Sequence, residues 1–158
     1  MNDEARMSND GEMTKSETPR DEFDDAFRND ATAPMICEEP ETIRVYDLEE
    51  CTARFGETVI DFAKSIAQSA VTNRIVNQLV GAGISVGANY VESDDAISKK
   101  EFLKSIGTCK KETREVKHFL RMTVRAVPEL KREARKLWLE ARELHLIFSK
   151  IWRSGKNG

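Results

Sequence analysis

The sequence has few prolines and no clustered cysteines, and each shortage excludes a type of protein. Of the four prolines in 158 residues, three lie before residue 41, so the rest of the chain can form long uninterrupted helices. The three cysteines, Cys37, Cys51 and Cys109, are far apart and form no Cys-x-x-Cys motif or Cys/His cluster. A zinc site is therefore not expected.

Long apolar runs and a secretory leader are also missing. Residues 1–10 contain neither the basic region nor the apolar run of a signal peptide. No stretch approaches the ~20 apolar residues that span a bilayer. We therefore expect a soluble, cytoplasmic protein without membrane contact.

Catalytic motifs are absent as well. The only histidines are His118 and His145, and the sequence contains no His-x-x-Glu-His, Gly-x-Ser-x-Gly or phosphate-loop pattern. The paired Glu-x-x-His motifs of di-iron helical bundles are also missing. A lone histidine beside an apolar helical stripe, as at His145, is usually structural. We predict that the protein is not an enzyme and uses no metal or cofactor.

Charge is abundant and unevenly distributed. Residues 1–50 contain 16 acidic and 5 basic residues, whereas residues 51–158 contain 12 acidic and 20 basic residues. This asymmetry indicates an acidic tail on a basic body. Residues 1–42 have little apolar surface to bury, so we predict that they form a disordered tail. Phe23 and Phe27, four residues apart among acidic residues, leave open whether this tail docks onto a partner or is only solvated.

The remaining chain, residues 43–154, has four amphipathic stretches joined by short loops and no alternating strand pattern. Short connections make consecutive helices antiparallel neighbours, so we predict an all-α, antiparallel up-down-up-down four-helix bundle. Residues 155–158 contain two glycines and are expected to be a frayed C-terminus. The predicted helices cover about residues 47–69, 72–93, 98–126 and 128–154. The first three have Asp47, Thr72 and Ser98 as predicted N-caps, and Pro128 lies in the first turn of the fourth.

The second predicted helix is unusual because it combines three glycines with two apolar strips. Gly81, Gly83 and Gly87 should each cost about 1 kcal/mol relative to alanine, which a helix tolerates where a neighbouring backbone approaches closely. One bundle covers only one apolar strip easily, so we predict self-association through the other. The predicted interface comprises Leu79, Val80, Gly83, Ile84, Gly87, Asn89, Tyr90 and Val91.

Asn89 lies one turn from Glu92 on the polar side of the same predicted helix. The pair is either a partner-recognition site or a set of hydrogen bonds between close-packed helices. We favour the second interpretation, because buried polar groups need partners.

Basic residues form a stripe on the outer side of the third predicted helix and another on the fourth. Several of those on the third helix fall within ~60° of one another on a helical wheel. Such stripes suit contact with a phosphate backbone, although a solvated face with pairs such as Lys111–Glu115 gives the same pattern. Aromatic residues are nearly absent from these faces, so base stacking is not expected. The predicted nucleic-acid-binding residues are Lys100, Lys104, Lys111, Arg114, Arg121, Arg125, Lys131, Arg135 and Arg142.

Two motifs in the same order resemble a known family. The first is Gln78-Leu79, followed by residues 85–90, SVGANY, and Glu92; the second is Phe102, Leu103, Ile106 and then Lys111, Glu112 and Glu115. Over roughly residues 44–152 the chain resembles bacterial 23S rRNA intervening-sequence proteins and is similar to accessory proteins of diversity-generating retroelements. It departs from the family at Gly81, where a basic residue is common.

The resemblance implies a non-enzymatic accessory protein that binds the backbone of RNA or DNA as a homo-oligomer, with a pentamer expected. The alternative that it implies is an oligomeric protein-interaction scaffold that docks a partner such as a reverse transcriptase.

Overall fold

The computed structural model describes residues 47–158, which form four long α-helices and one short 3-10 helix. Each helix packs against the next one in the chain, and the last also contacts the first. This is the predicted all-α, antiparallel up-down-up-down bundle. The predicted acidic tail and Cys37 lie outside the described residues. The helices are α1 (Leu48–Lys64), α2 (Ala70–Asp94), α3 (Lys99–Ala126) and α4 (Lys131–Asn157), with the 3-10 helix Pro128–Leu130 preceding α4.

Two of the predicted helix starts are confirmed by their capping hydrogen bonds. Oδ1 of Asp47 accepts a hydrogen bond from the backbone N–H of Glu50 at 3.1 Å. Oγ of Ser98 accepts from the backbone N–H of Glu101 at 3.2 Å, and the Glu101 carboxylate accepts from the N–H of Ile97 at 3.1 Å. These bonds satisfy donors that the first helical turn leaves without a partner.

The predicted N-cap of α2, Thr72, is wrong. Ser69 caps the helix, because its Oγ accepts from the Thr72 backbone N–H at 3.0 Å. The Thr72 hydroxyl instead donates to the carbonyl of Ala67 at 2.7 Å and closes the connection between α1 and α2. Both residue types are suitable N-caps. Because the Thr72 hydroxyl is bonded to Ala67, Ser69 is the residue that caps the helix.

Two helix ends also differ from the prediction. The first helix ends at Lys64 rather than 69, since the chain must turn there to bring α2 back along α1. The last helix runs through Gly155 to Asn157, past the predicted end at 154. A Cβ at Gly155 would lie 2.6 Å from Cδ2 of Leu103, so the glycine permits close packing of α4 on α3.

The core is built from the predicted apolar stripes of all four helices. Each large side chain that leaves water contributes roughly 1.5–3 kcal/mol of stability relative to an exposed one. The largest fully buried apolar side chains are Phe55 and Val59 of α1, Leu79 and Val86 of α2, Ile106, Val116 and Leu120 of α3, and Leu137, Leu144 and Phe148 of α4.

The glycines of α2 have different surroundings. A Cβ at Gly83 would lie 2.7–2.9 Å from three atoms of the Val59 side chain, and one at Gly87 would lie 3.5 Å from the carbonyl oxygen of Thr52. These two glycines therefore face α1 of the same chain. No heavy atom of another helix lies within 4 Å of a Cβ built at Gly81.

Candidate nucleic-acid interface

The predicted basic stripe lies on the outer side of α3. It extends from residue 100 to residue 125, a distance of about 38 Å at 1.5 Å per residue. Arg121 of this stripe and Arg135 of α4 are half-buried. In Arg135 the burial extends to the guanidinium group, because its Nε and Nη2 are inaccessible to solvent. The exposed members are Lys100, Lys104, Lys111, Arg114 and Arg125 of α3 and Lys131 and Arg142 of α4.

The Lys111–Glu115 pair, which offered a purely structural explanation of the stripe, is not formed within residues 47–158. The ion pairs found there include Arg54–Glu50 and Lys64–Asp61, both on α1. Glu112 is half-buried, and its burial together with the charge of Glu115 raises the pKa of its carboxyl. The nearby charge of Lys111 acts in the opposite direction and lowers this pKa, so Lys111 and Glu112 interact at a distance without forming an ion pair.

Three predicted basic residues come together in a groove of about 400 Å³ between α3 and the C-terminal part of α4. Lys104, Lys111 and Arg114 line it together with Lys110, which the prediction omitted. Among the described residues, no acidic side chain lines this groove, so its potential is positive. We call it the α3–α4 groove; it is lined by Leu103, Lys104, Gly107, Thr108, Lys110, Lys111, Arg114 and Trp152.

Trp152 is the functional candidate that the sequence analysis missed. Nζ of Lys110 lies 4.9 Å and Nζ of Lys156 lies 4.4 Å from the centroid of its ring. Each such cation–π contact contributes about 0.5–1 kcal/mol at an exposed site. The expectation that aromatic residues are nearly absent from the basic faces therefore does not hold for Trp152.

A second contact of the same kind occurs along the same pair of helices. Nζ of Lys117 lies 4.8 Å from the ring centroid of Trp138. Lys110 and Lys117 are seven residues apart on α3, and Trp138 and Trp152 are fourteen apart on α4. Residues separated by a multiple of seven lie on nearly the same side of a helix. The sequence spacing therefore indicates that the two lysines share one face of α3 and that the two tryptophans share one face of α4.

The two histidines lie in different surroundings. His145 lies in the contact between α3 and α4, where its Nδ1 is 3.1 Å from the carbonyl oxygen of Lys110 and donates to it. Burial lowers the pKa of His145, the hydrogen bond to the Lys110 carbonyl raises it in part, and the charges of Lys117 and Arg114 lower it again, so that the net direction is downward. The ring is therefore neutral at neutral pH and serves to tie the two helices together. His118 is exposed on α3 beside Phe119.

Within residues 47–158, no three His, Cys, Asp or Glu side chains are grouped closely enough to hold a metal ion. Cys109 is a free, fully buried thiol, and burial raises its pKa to about 12. It is therefore protonated and unreactive at neutral pH.

The predicted interface residues of α2 divide between the core and the surface. Leu79 is fully buried, and the ring of the half-buried Tyr90 lies 6.1 Å from that of Phe148. The side chain of Asn89 donates to the Ser85 carbonyl of its own helix at 2.7 Å, rather than across to another helix. Val80 is half-buried, and Gly83 and Gly87 face α1. Ile84 and Val91 remain exposed, at 50% and 45%.

Ile84 and Val91 belong to a second groove, of about 300 Å³, between α1 and α2. Ile60 of α1 lines it as well, together with Gly56 and Gly87. Most of its surface is apolar, although Glu49 and Glu57 also line it. We call this the α1–α2 groove.

The fold and its grooves define an antiparallel four-helix bundle with a basic outer face. The fold is similar to that of a crystal structure described as a protein of unknown function from the S23 ribosomal protein family of Bacteroides thetaiotaomicron, with a TM-score of 0.60. The two chains are 17% identical, and the match covers 66% of this chain and 97% of the other.

The similarity extends to the fold alone, because the identity is low. No protein-family model matches the sequence, and no curated protein matches it. A bilayer crossing would need a longer or more apolar helix than any found in residues 47–158.

Proposed function

We propose that this protein is a non-enzymatic nucleic-acid-binding accessory protein, a cytoplasmic member of the bacterial 23S rRNA intervening-sequence protein family. It presents the basic face of α3 and α4 to the phosphate backbone of RNA or DNA. The observation that carries the proposal is the α3–α4 groove, whose lining includes four cations and no acidic side chain. The similarity of the fold to a structure from the S23 ribosomal protein family supports it.

The geometry of the basic face suits a polyanion. Its length of about 38 Å along α3 matches about 11 steps of a duplex at 3.4 Å per step. The side chains that line it are long and flexible, so they neutralise phosphates without reading base edges. Binding should therefore depend strongly on salt and weakly on sequence.

A salt titration tests this function directly. For five to six neutralised phosphates on a duplex, the logarithm of the affinity should fall with the logarithm of salt concentration with a slope of about −5. Between 50 and 200 mM salt the affinity should drop by about 10³-fold. Fluorescence anisotropy with unrelated RNA and DNA sequences would measure both quantities. Absence of binding at 50 mM salt, or a flat salt dependence, would contradict the proposal.

The α1–α2 groove favours a second candidate function, an oligomeric scaffold that docks a partner such as the reverse transcriptase of a diversity-generating retroelement. Half of Ile84 and nearly half of Val91 are exposed there beside Ile60, which leaves an apolar strip without a partner in the monomer. We propose that copies of the chain cover this strip in a homo-oligomer, with a pentamer expected. The two functions are compatible, because the two grooves lie between different helix pairs.

Ile84→Glu should convert the oligomer into a folded monomer, since the new carboxylate would be buried in the apolar contact. Light scattering at micromolar concentration would report the mass of each protein. Ile97→Glu is the matched control, because Ile97 is 96% exposed in the loop between α2 and α3 and does not line the groove. A monomeric parent protein would refute self-association, and an oligomeric I84E variant would place the contact elsewhere.

A further inference from the structure

The α3–α4 groove contains an aromatic ring as well as cations, which is the combination that single-stranded nucleic-acid sites use. We propose that it binds an unpaired nucleotide, with the base stacked on Trp152 and the flanking phosphates held by Lys104, Lys111 and Arg114. This inference rests on the proposed function, because the same cations hold the backbone in both. It adds a preference for single strands over duplexes.

The position of Trp152 is set by the bundle rather than by the ligand. The ring is half-buried and packs against the core, and its Nε1 lies 3.4 Å from where a Cβ at Gly107 would be. A Cβ at position 107 would therefore be in van der Waals contact with the edge of the indole, so the ring lies close against α3. Because the ring is already oriented, a base would stack on it without a large ordering cost.

A base can displace the lysine ammonium groups that lie over the Trp152 ring. Cation–π contacts at exposed sites change an equilibrium by about 2- to 5-fold, whereas stacking of one base on an aromatic side chain is worth about 5- to 100-fold. The ammonium groups of Lys110 and Lys156 end flexible four-carbon stems, so they can leave the ring and pair with phosphate. A base therefore displaces a lysine without losing its charge from the site.

The size and composition of the groove agree with this occupant. Its volume of about 400 Å³ lies within the range of about 300–1,000 Å³ that small-molecule sites occupy. A nucleotide belongs to that size class. The similar contact at Trp138 does not provide a second site, because Trp138 is only 4% exposed and has no face for a base.

The test compares Trp152→Leu with Trp152→Phe in the full chain. Leucine keeps apolar packing on the core but removes the aromatic face, whereas phenylalanine retains a stacking surface. The probes are a 12-nucleotide single-stranded RNA, the DNA of the same sequence, the corresponding duplexes, and a single strand with abasic sites. Circular dichroism and thermal melting of each variant would show that the bundle is intact.

We expect W152L to weaken single-strand binding by about 5- to 100-fold and to leave duplex binding unchanged, because paired bases are stacked on each other. W152F should retain most of the affinity, and the parent should bind the abasic strand about as weakly as W152L binds the normal one. If W152L loses affinity for only the single-stranded RNA or only the single-stranded DNA, that result would identify which of the two the site binds.

Two results would overturn the inference. One is equal affinity of W152L and the parent for the single strand; the other is an equal loss for single strands and duplexes. If the parent still binds every probe with a steep salt dependence, backbone binding stands and only base stacking is refuted. If the parent binds no probe at 50 mM salt, the proposed function itself is refuted.

Discussion

Replacing Lys104, Lys110, Lys111 and Arg114 together with glutamine should lower the affinity for nucleic acid by about 10²- to 10³-fold at 100 mM salt. These four side chains line the α3–α4 groove. Each neutralised phosphate contributes about 0.9 to the salt slope on a duplex, so the slope should decrease by about 3 to 4. Fluorescence anisotropy across a series of salt concentrations would measure both effects on the same samples.

The fold should survive this quadruple substitution. Lys104, Lys111 and Arg114 are exposed, and Lys110 contributes to the bundle mainly through its contact with Trp152. Glutamine keeps most of the stem length and is a good helix former, so the helix propensity of α3 changes little. Unfolding in urea would confirm that stability is retained.

A matched control removes the same charge from another part of the surface. Arg54, Lys64, Arg74 and Arg132 are all exposed and do not line the α3–α4 groove. Their replacement with glutamine changes the net charge by the same amount, so it should reduce binding only slightly through the overall field. If this control loses as much affinity as the groove variant, net charge rather than the groove accounts for binding.

Gly83→Ala should destabilise the bundle by about 1–3 kcal/mol, the cost of overpacking a filled core. The new Cβ would lie 2.7–2.9 Å from Cβ, Cγ1 and Cγ2 of Val59, which is fully buried. A valine in a helix has essentially one rotamer, so it cannot turn away. The gain of up to about 1 kcal/mol in helix propensity does not offset this repulsion.

Gly81→Ala is the matched control, and it should change the free energy of unfolding in the opposite direction. It makes the same chemical change in the same helix, but no heavy atom of another helix lies within 4 Å of the new Cβ. We expect a stabilisation of about 0.5–1 kcal/mol from helix propensity alone. Urea unfolding followed by circular dichroism, at one protein concentration, would measure both variants.

A stability of G83A equal to or above that of G81A would contradict the close approach of α1 and α2. Val59→Ala in the G83A background should recover part of the loss by removing the two methyl groups. The recovery should be incomplete, because Cβ of Val59 is itself 2.9 Å from the new carbon.

Much of the fold was predictable because its signals are local. The caps Asp47 and Ser98 and the apolar stripes through Phe55, Ile106 and Leu144 depend only on residues within a turn or two, and the structure places them as predicted. The start of α2 was predicted incorrectly for a related reason. Ser69 and Thr72 are both suitable caps, and a hydrogen bond to Ala67 distinguishes them.

The candidate site was predictable only in part. The basic stripe of α3 follows from helical spacing, and its members Lys104, Lys111 and Arg114 do line the groove. The pairing of Lys110 with Trp152 joins residues 42 positions apart, so it depends on how α4 is rotated and shifted against α3. That register results from packing across the whole interface, which periodicity within one helix does not specify.

The sequence by itself determined four amphipathic helices, their order and their antiparallel arrangement, because periodicity, caps and short loops act over a few residues. Only the tertiary structure decided what each residue on those helices contacts. Gly81 and Gly83 have the same local sequence character, yet one faces open space and the other faces Val59. Trp152 similarly becomes part of a basic groove only because α4 packs beside α3, and such contacts depend on the three-dimensional register of whole helices.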